Sequence, residues 1–257
     1  MVTRLIFPQK TSLASRPKNR LTAGYTYFQE PDELEQQIKV WQTWPDQIDI
    51  FIVDDGSEIF KAEELLKDVW IPDYGPSIQL WRCTRNLGFN SHGCRNLIAK
   101  YAETDFIAFF DMDMLMHAPD IARLKRKVFK EGMLYYHHAY IEPKQTVMQQ
   151  PGHRNCFAIG KKTFWEAGGY DESFTGHHFG DNEFLSRLED NGVKITFTET
   201  SIVLKRLGRH GIVKGDEKKT RYISDNEFFY VPLKELEVKK LKGTVKQRLN
   251  FPFIKVL

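Results

Sequence analysis

Apolar and amphipathic stretches alternate along the first half of the chain. The predicted strand Ile48–Val53 is apolar except for Asp49, a pattern typical of a strand that is covered on both faces. Leu34, Ile38 and Trp41 recur at helical spacing, so the pattern predicts an amphipathic helix over Pro31–Thr43. Strands and helices that alternate in this way predict an α/β sheet with helices on both faces.

The remaining predicted elements continue this alternation. The predicted strands are Arg4–Pro8, Ile78–Cys83, Asp105–Phe110, Met133–Tyr140, Cys156–Ile159 and Lys194–Leu204. The predicted helices are Lys61–Val69, His92–Ala102 with Ser91 as its cap, a segment after Pro119 that ends at Lys130, Lys161–Ala167 and Asp181–Asp190. The last fifty residues are polar and basic, with Pro232 and Pro252, and their pattern does not assign them to particular elements.

Composition places the chain among folded proteins. Its 257 residues are 41% hydrophobic and 13% aromatic, which is enough for the core of one large domain or two small ones. No apolar run approaches the ~18 residues of a membrane span, and the N-terminus lacks the features of a secretory signal. Cys83, Cys94 and Cys156 form neither a disulfide framework nor a CxxC site. We therefore expect a reducing compartment, the cytoplasm.

Positive charge is concentrated near the C-terminus. Residues 201–257 carry 14 Lys and Arg against 6 Asp and Glu, a net charge of +8, whereas residues 1–200 have a net charge of −5. Such a basic segment often binds phosphate in a nucleotide, a nucleic acid or an anionic lipid surface. It could equally be an ordinary solvated surface.

Two acidic turns follow predicted strands. Asp54-Asp55 ends one strand, and Asp111-Met112-Asp113 ends another. Ligands of open α/β sheets bind beyond the carboxyl ends of the strands, and paired carboxylates bind hard divalent cations through oxygen. The turns therefore predict a cation site that neutralises a diphosphate, although Asp residues at such places can also simply cap turns and helices.

These turns belong to a series of motifs that resembles the GT-A glycosyltransferases, family 2 and its relatives in particular, over residues 3–210. The pieces, in order, are Phe7-Pro8, FIVDDGS at Phe51–Ser57, NLGFNSHGCRN at Asn86–Asn96, FFDMD at Phe109–Asp113, GGYDESF at Gly168–Phe174 and GDNEFLSRLEDNG at Gly180–Gly192. The late pieces are also similar to the C-terminal region of galactosyl- and N-acetylgalactosaminyltransferases. The resemblance implies an α/β GT-A fold, with a mixed, mostly parallel sheet flanked by helices.

A donor pocket for a nucleotide-sugar is implied by this resemblance. The implied donor-binding residues are Pro8, Asp54, Asp55, Arg85, Asn86, Gly88, Arg95 and Asp111. Pro8 is expected at the nucleobase, and Asp54 and Asp55 at the uracil and ribose of a UDP-sugar, where carboxylates accept hydrogen bonds. Arg95 is expected either to reach a phosphate or to hold Asp111 in place.

The resemblance also implies a divalent cation, Mn²⁺ or Mg²⁺, as cofactor. Asp113 and Asp111 are the implied carboxylate ligands. His210 is an implied further ligand because several relatives carry a histidine after the next strand. Imidazole suits Mn²⁺ better than Mg²⁺.

Glycosyl transfer with inversion needs a base that takes the proton of the acceptor hydroxyl. By the family pattern counted back from Arg187, Asp181 is the implied base and Glu183 the second acidic residue of the catalytic pair. Related retaining enzymes tend to carry Asn at the position of Asp181, so the Asp favours inversion. Asp181 also suits a helix N-cap. The implied acceptor-binding residues are Gly168, Gly169, Tyr170, His177, His178 and Trp165.

The resulting hypothesis is a metal-dependent glycosyltransferase that moves a sugar from a nucleotide-sugar to a hydroxyl of a glycan or lipid-linked saccharide. The basic segment keeps a hydroxymethylated DNA base open as the acceptor, and peripheral contact with an anionic surface is a further possibility. A nucleotidyltransferase or a non-catalytic sugar-binding module would also suit an α/β fold with acidic turns. The predicted domains are a catalytic domain over residues 1–210, divided near residue 115 into nucleotide-sugar and acceptor halves, and a basic extension over residues 211–257.

Overall fold

The structure is a computed structural model that describes residues 21–69, 75–88, 90–141, 146–147, 153–175, 180–204, 249 and 251–257. One mixed sheet of ten strands runs through this part of the chain. The strands are β1 (Leu21–Tyr27), β2 (Ile48–Asp54), β3 (Ser77–Cys83), β4 (Phe106–Phe110), β5 (Met114–Leu115), β6 (Met133–Ile141), β7 (Thr146–Val147), β8 (Phe157–Gly160), β9 (Lys194–Leu204) and β10 (Phe253–Lys255). The helices are α1 (Pro31–Trp41), α2 (Ala62–Leu66), α3 (Ser91–Tyr101), α4 (Ala118–Arg126), α5 (Lys161–Glu166) and α6 (Gly180–Asp190), with a 3-10 turn at Glu172–Phe174.

The strand order brings the carboxyl ends of the first strands to one edge of the sheet. The order is β10-β3-β2-β1-β4-β8-β6-β9-β5, with β7 beside β6. Strands β3, β2, β1 and β4 are mutually parallel, whereas β8 pairs antiparallel with β4. Ligands of such sheets bind beyond the carboxyl ends of the parallel strands. The predicted α/β class with a mixed sheet flanked by helices is confirmed. The sheet is not mostly parallel, because five of the nine strand pairs described are antiparallel.

The short strands β5, β7 and β10 are absent from the predicted elements. The seven-residue central strand β1 is absent from them as well. Its sequence LTAGYTY has only two aliphatic residues, although every residue of the strand is buried. Its polar atoms are satisfied inside the fold: the hydroxyls of Thr22 and Thr104 lie 2.7 Å apart, and Trp41 donates to the hydroxyl of Tyr25. The predicted strand Arg4–Pro8 lies outside the described residues.

Several predicted helix boundaries differ from the structure. Helix α1 ends at Trp41 rather than at Thr43, and α2 spans only Ala62–Leu66 where Lys61–Val69 was predicted. Helix α4 ends at Arg126 because the chain becomes extended at Lys127, and Phe129 then packs against Phe106 with the ring centroids 5.2 Å apart. Ser91 is the first residue of α3 rather than its cap. The longest helices of the described chain have 11 residues, and no helix there is long and apolar enough to cross a membrane.

Each face of the sheet has its own hydrophobic core. Strand β2 shows the division, because Ile50 and Ile52 face one core whereas Phe51 and Val53 face the other. Helices α1, α2 and α4 cover the first core. Helices α3, α5 and α6 cover the second core. The apolar run Ile50–Val53 of β2 follows from this double coverage.

The C-terminal residues return to the sheet and contact the second core. Strand β10 pairs antiparallel with β3. Phe251, which is 8% exposed, packs into the core that α3 covers. The backbone amide of Leu249 donates to Oε2 of Glu172 at 2.8 Å. These contacts tie the end of the chain to the elements that carry the sequence motifs.

We expect Phe251→Ala to lower the free energy of unfolding by about 3 kcal/mol, because a buried aromatic ring is replaced by a cavity. Urea unfolding followed by tryptophan fluorescence measures the change. Ile254→Ala is the matched control, since Ile254 is 44% exposed on the neighbouring strand β10 and its loss should have little effect. Equal effects of the two substitutions would show that the packing of Phe251 does not stabilise the fold.

Candidate active site

The two acidic turns lie at the same edge of the sheet. Tyr27, the last residue of β1, pairs with Asp54, the last residue of β2. Phe110, the last residue of β4, pairs with Tyr25. The Asp54-Asp55 turn and the Asp111–Asp113 turn therefore flank the end of β1, as expected for the ligand-binding edge of an open α/β sheet.

The Asp111–Asp113 turn is held in place by helix α1. The backbone amide of Met114 donates to the carbonyl of Asp111 at 3.0 Å, which closes the turn. The buried side-chain amide of Gln37 donates to the carbonyls of Met112 and Met114, at 2.9 and 2.8 Å. Sequence reasoning missed Gln37, although a polar residue on the apolar face of a predicted helix is a usable signal.

A buried guanidinium joins this turn to helix α6. The side chain of Arg95 is 2% exposed, and it donates to Oδ1 of Asp111 at 2.8 Å and to Oδ1 of Asp181 at 2.5 Å. The same side chain donates to the hydroxyl of Tyr170 at 3.1 Å. Burial lowers the pKa of Arg95, but the opposing effects of Tyr170, Asp181 and Asp111 are larger and raise it above its ordinary value. Arg95 therefore holds Asp111, which is one of its two predicted roles.

Asp113 is a carboxylate in an unfavourable electrostatic environment. Burial, together with the neighbouring Asp111 carboxylate, raises the pKa of Asp113 to about 6, although His153 acts in the opposite direction. A like charge at close range disfavours the ionised form of Asp113. A divalent cation between the two carboxylates would reverse this effect.

A segment that the sequence motifs did not identify lies against the same turn. Asn155 donates to Oδ2 of Asp111 at 3.1 Å, and Nδ1 of His153 lies 3.4 Å from the same oxygen. Arg154 donates to the side chain of Asn182 in helix α6. The available signal was three polar residues in a row immediately before a predicted strand. We name His153–Asn155 the β8 entry segment.

The donor atoms of this region fit Mn²⁺ or Mg²⁺. Asp111, His153 and Cys156 offer ligand atoms within 4.8 Å of one another. Burial, followed by the effect of Asp111, raises the pKa of Cys156 well above its ordinary value, and Mn²⁺ and Mg²⁺ prefer oxygen and nitrogen ligands to sulfur. Carboxylate oxygens and an imidazole remain, a set that suits Mn²⁺ and, for the oxygens, Mg²⁺. The predicted ligand His210 lies outside the described residues.

The two carboxylates of the Asp54-Asp55 turn have different hydrogen-bond partners. Asp54 is fully buried, and its oxygens accept from the backbone amides of Ser57 at 2.7 Å and Ala62 at 3.0 Å. Both oxygens therefore cap the loop and helix α2, which corrects the prediction that Asp54 faces the donor. Asp55 is also buried, and its Oδ2 accepts from the amide of Asn90 at 2.8 Å. Its Oδ1 makes no hydrogen bond with any described residue.

A cleft of about 600 Å³ opens between this turn and the chain that follows β3. Arg85 and Asn86, two of the predicted donor-binding residues, line it. Gly56 has a φ of +82°, and a Cβ atom there would lie 2.8 Å from the carbonyl oxygen of Arg85, so only glycine allows the two segments to approach. Asn86 accepts from the amide of Gly88 at 2.9 Å and closes the next turn. Pro8 lies outside the described residues.

The predicted catalytic pair is split by the structure. Asp181 lies in the first turn of α6 with a side chain that is 17% exposed, and its Oδ2 is 4.0 Å from Nε2 of His92. Glu183 is buried, and both of its oxygens accept from Arg187, at 2.5 and 2.7 Å. Arg187 also donates to the carbonyl of Gly169 at 2.7 Å. Glu183 therefore positions the turn at Gly169 and does not face an acceptor, which corrects its predicted catalytic role.

The turn predicted to bind the acceptor is itself part of the scaffold. Gly168 and Gly169 both have positive φ, and Asn96 exchanges two hydrogen bonds of 2.8 Å with the backbone of Tyr170. Tyr170 is 0% exposed and stacks on Phe184 with the ring centroids 4.4 Å apart. The prediction that Tyr170 contacts the acceptor is therefore wrong, because its ring fills the core.

The remaining predicted acceptor residues are only partly described. The ring of Trp165 packs edge-on against Phe164, with the centroids 4.7 Å apart, and keeps part of its surface exposed. His177 and His178 lie outside the described residues. Among the predicted acceptor residues that the structure describes, Trp165 is therefore the aromatic residue whose side chain keeps part of its surface exposed to solvent.

We expect Asp113→Asn to raise the melting temperature of the metal-free protein at pH 7 by about 2–4 °C, the shift that ~1 kcal/mol produces in a chain of this size. The pKa of Asp113 rises from 3.8 to about 6 on folding, so its ionised form opposes folding above pH 6. The difference between variant and wild type should shrink as the pH falls from 6 to 4. Thermal unfolding in EDTA at several pH values measures it.

Asp68→Asn is the control for this experiment, because Asp68 is exposed and its charge should scarcely affect folding. Adding Mn²⁺ should then raise the melting temperature of the wild type more than that of Asp113→Asn. A lower melting temperature for Asp113→Asn in EDTA would contradict the electrostatic account of the turn.

Solved glycosyltransferase structures share this fold. S. aureus TarS 1–349 matches with a TM-score of 0.56 at 12% identity, over 72% of this chain and 60% of that one. TarS 1–349 in complex with UDP-GlcNAc matches with a TM-score of 0.57 at 10% identity, over 78% and 63% of the two chains. The mannosyltransferase PcManGT of Pyrobaculum calidifontis, in complex with GDP-Man and Mn²⁺, matches with a TM-score of 0.56 at 14% identity, over 75% and 58%. The chain thus spans about 60% of the length of these proteins.

The sequence itself matches a family model. No curated protein matches the chain, and the similarity of the late motifs to galactosyl- and N-acetylgalactosaminyltransferases stays a prediction. The model of glycosyl transferase family 2 matches residues 26–184, a range that contains both acidic turns, Arg95 and Asp181. The chain therefore belongs to glycosyl transferase family 2.

Proposed function

We propose that this glycosyltransferase moves a sugar from a nucleoside diphosphate sugar, with UDP as the proposed nucleotide, to an acceptor hydroxyl. The transfer is proposed to invert the anomeric centre and to require Mn²⁺ or Mg²⁺. The observation that carries the proposal is the pair of hydrogen bonds from Arg95 to Asp111 and Asp181. One guanidinium thus holds Asp111, in the Asp111–Asp113 turn that we name the cation turn, beside Asp181, a carboxylate suited to act as a base. The complexes of the matched structures with UDP-GlcNAc, GDP-Man and Mn²⁺ support this donor class and cofactor.

The donor side is proposed to consist of the cleft and the cation turn. Arg85 and Asn86 would line the nucleotide in the cleft between β2 and β3. Asp55 is fully buried and interacts with the thiol of Cys94, so its proposed role is to hold the loop through the amide of Asn90. Asp111 and Asp113 would hold the cation, which supplies positive charge to the diphosphate leaving group when bound. Pro8 and His210 keep their predicted roles within this proposal, at the nucleobase and the cation.

The base chemistry is proposed to belong to Asp181. Its Oδ1 is held by Arg95, which leaves Oδ2 to receive the proton of the acceptor hydroxyl. The hydroxyl oxygen forms a bond to the anomeric carbon while the bond from that carbon to the diphosphate oxygen breaks. The proton ends on Asp181 and the electron pair on the diphosphate. A single displacement of this kind inverts the anomeric centre.

The acceptor side is proposed to include the glycine turn and the histidines that follow it. Gly168 keeps part of its surface exposed and is proposed to contact the acceptor through its backbone, whereas Gly169 is buried and its missing Cβ makes room for the ring of Trp165. Trp165, with part of its ring exposed, is suited to stack on a sugar face. A glycan or lipid-linked saccharide is the proposed acceptor class, and His177 and His178 are proposed to contact it.

The proposal is tested first by hydrolysis of a panel of UDP- and GDP-sugars with Mn²⁺ or with EDTA, and then by substitution of the base. We expect hydrolysis to require the cation and to identify the donor. With that donor, Asp181→Asn should lower kcat by about 10²–10⁴-fold, the contribution of a general base, while donor KM changes little. The Asn side chain keeps an oxygen for Arg95, so the fold should persist.

Glu183→Gln is the matched comparison on the same helix. Because Glu183 binds Arg187 and is buried, Glu183→Gln should lower the melting temperature. Its kcat should fall much less than that of Asp181→Asn. A donor with an α-linked sugar should give a β-linked product by NMR. An α-linked product, or near-normal kcat in Asp181→Asn, would refute Asp181 as the base of an inverting reaction.

A further inference from the structure

The topology of the sheet places the β8 entry segment over the cation turn. Strand β8 runs antiparallel to β4, and Phe157 pairs with Phe109. A chain that enters β8 must therefore pass the carboxyl end of β4, where the Asp111–Asp113 turn begins. A hydrogen bond of 3.0 Å from the amide of Cys156 to the carbonyl of His153 closes this segment into a turn.

The imidazole of His153 lies close to the cation turn, and one of its nitrogens has no hydrogen-bond partner among the described residues. Nδ1 is buried and makes no hydrogen bond with any part of the chain that is described. It lies 3.4 Å from Oδ2 of Asp111. Two adjacent ligand atoms of an octahedral cation with bonds of about 2.1 Å lie roughly 3 Å apart, so a small movement brings this pair to ligand spacing.

The partners of Asp111 agree with a ligand role for the same oxygen. Arg95 binds Oδ1 of Asp111, and Asn155 donates to Oδ2 at 3.1 Å. Metal-binding carboxylates are usually oriented by such outer hydrogen bonds. The entry segment thus supplies both an outer partner, Asn155, and an imidazole, while the side chain of His153 remains 25% exposed.

We propose that His153 is a protein ligand of the divalent cation, together with Asp111 and Asp113. The inference rests on the proposed metal dependence and makes it more specific, because an imidazole favours Mn²⁺ over Mg²⁺. The cation is then bound by two segments, the turn after β4 and the segment before β8. The predicted ligand His210 is not required for an imidazole to reach the cation.

Pulsed EPR of the full chain with Mn²⁺ and UDP tests this inference without any measurement of activity. Coordinated imidazole modulates the spin echo of Mn²⁺ through its ¹⁴N nuclei, and labelling the histidines with ¹⁵N changes that modulation. We expect the modulation in wild type and in His210→Ala, and its loss in the double variant His153→Ala/His210→Ala. His153→Ala alone should weaken Mn²⁺ affinity at least about tenfold.

His138→Ala is the matched control. His138 of β6 stacks on Phe197 of β9, so its substitution should leave the modulation intact. Circular dichroism establishes that each variant is folded, and the ¹⁵N-labelled His210→Ala protein tests ligation in a chain that keeps His153. Loss of the modulation in His210→Ala, or its persistence in the double variant, overturns the inference. Bound Mn²⁺ without nitrogen modulation in the wild type overturns it while leaving the proposed function intact. Failure of the wild type to bind Mn²⁺ overturns both the inference and the metal dependence.

Discussion

Arg95 lies in the middle of helix α3, under the carboxyl edge of the sheet, with its guanidinium between Asp111 and Asp181. A buried charge is expensive unless it is paired and hydrogen-bonded. The planar fork of Arg can bind two carboxylates at once, which the single ammonium of Lys cannot do with the same geometry. The turn after β4 and the start of α6 must therefore stay where Arg95 can reach both. The candidate active site depends on this constraint.

The surrounding scaffold keeps the two carboxylates in reach of that guanidinium. Asn96, the next residue of α3, binds the backbone of Tyr170, and Tyr170 in turn contacts Arg95. On the other side of the turn, Arg187 joins Glu183 of α6 to the carbonyl of Gly169. Helices α3 and α6 are thus fixed to one turn by buried polar contacts. Buried polar contacts of this kind rigidify a site and specify its geometry, although Nε of Arg95 makes no hydrogen bond with any described residue.

Most of the longer strands and helices were predictable from sequence because their apolar spacing is strong, as in the run Ile50–Val53 of β2. Strand β1 was not, since Thr and Tyr occupy buried positions there and their polar atoms find partners only in the folded chain. The acidic turns were predictable because they follow apolar strands. The carboxylate oxygens that remain available for a ligand were not predictable, because they depend on partners in the folded chain. Asp54 caps backbone amides, and Glu183 binds Arg187. His153 was hidden for a topological reason, because only the antiparallel pairing of β8 with β4 brings it to the turn.

The central claim is that one guanidinium positions both the donor-side carboxylate and the base, and Arg95→Lys tests it most directly. Mn²⁺-dependent UDP affinity by calorimetry reports on Asp111, and single-turnover transfer reports on Asp181. The account predicts that both fall, by about 10–100-fold each, in a variant that remains folded by circular dichroism. Lys100→Arg, on the exposed face of the same helix, should change neither. Wild-type UDP affinity or wild-type transfer in folded Arg95→Lys would contradict the account.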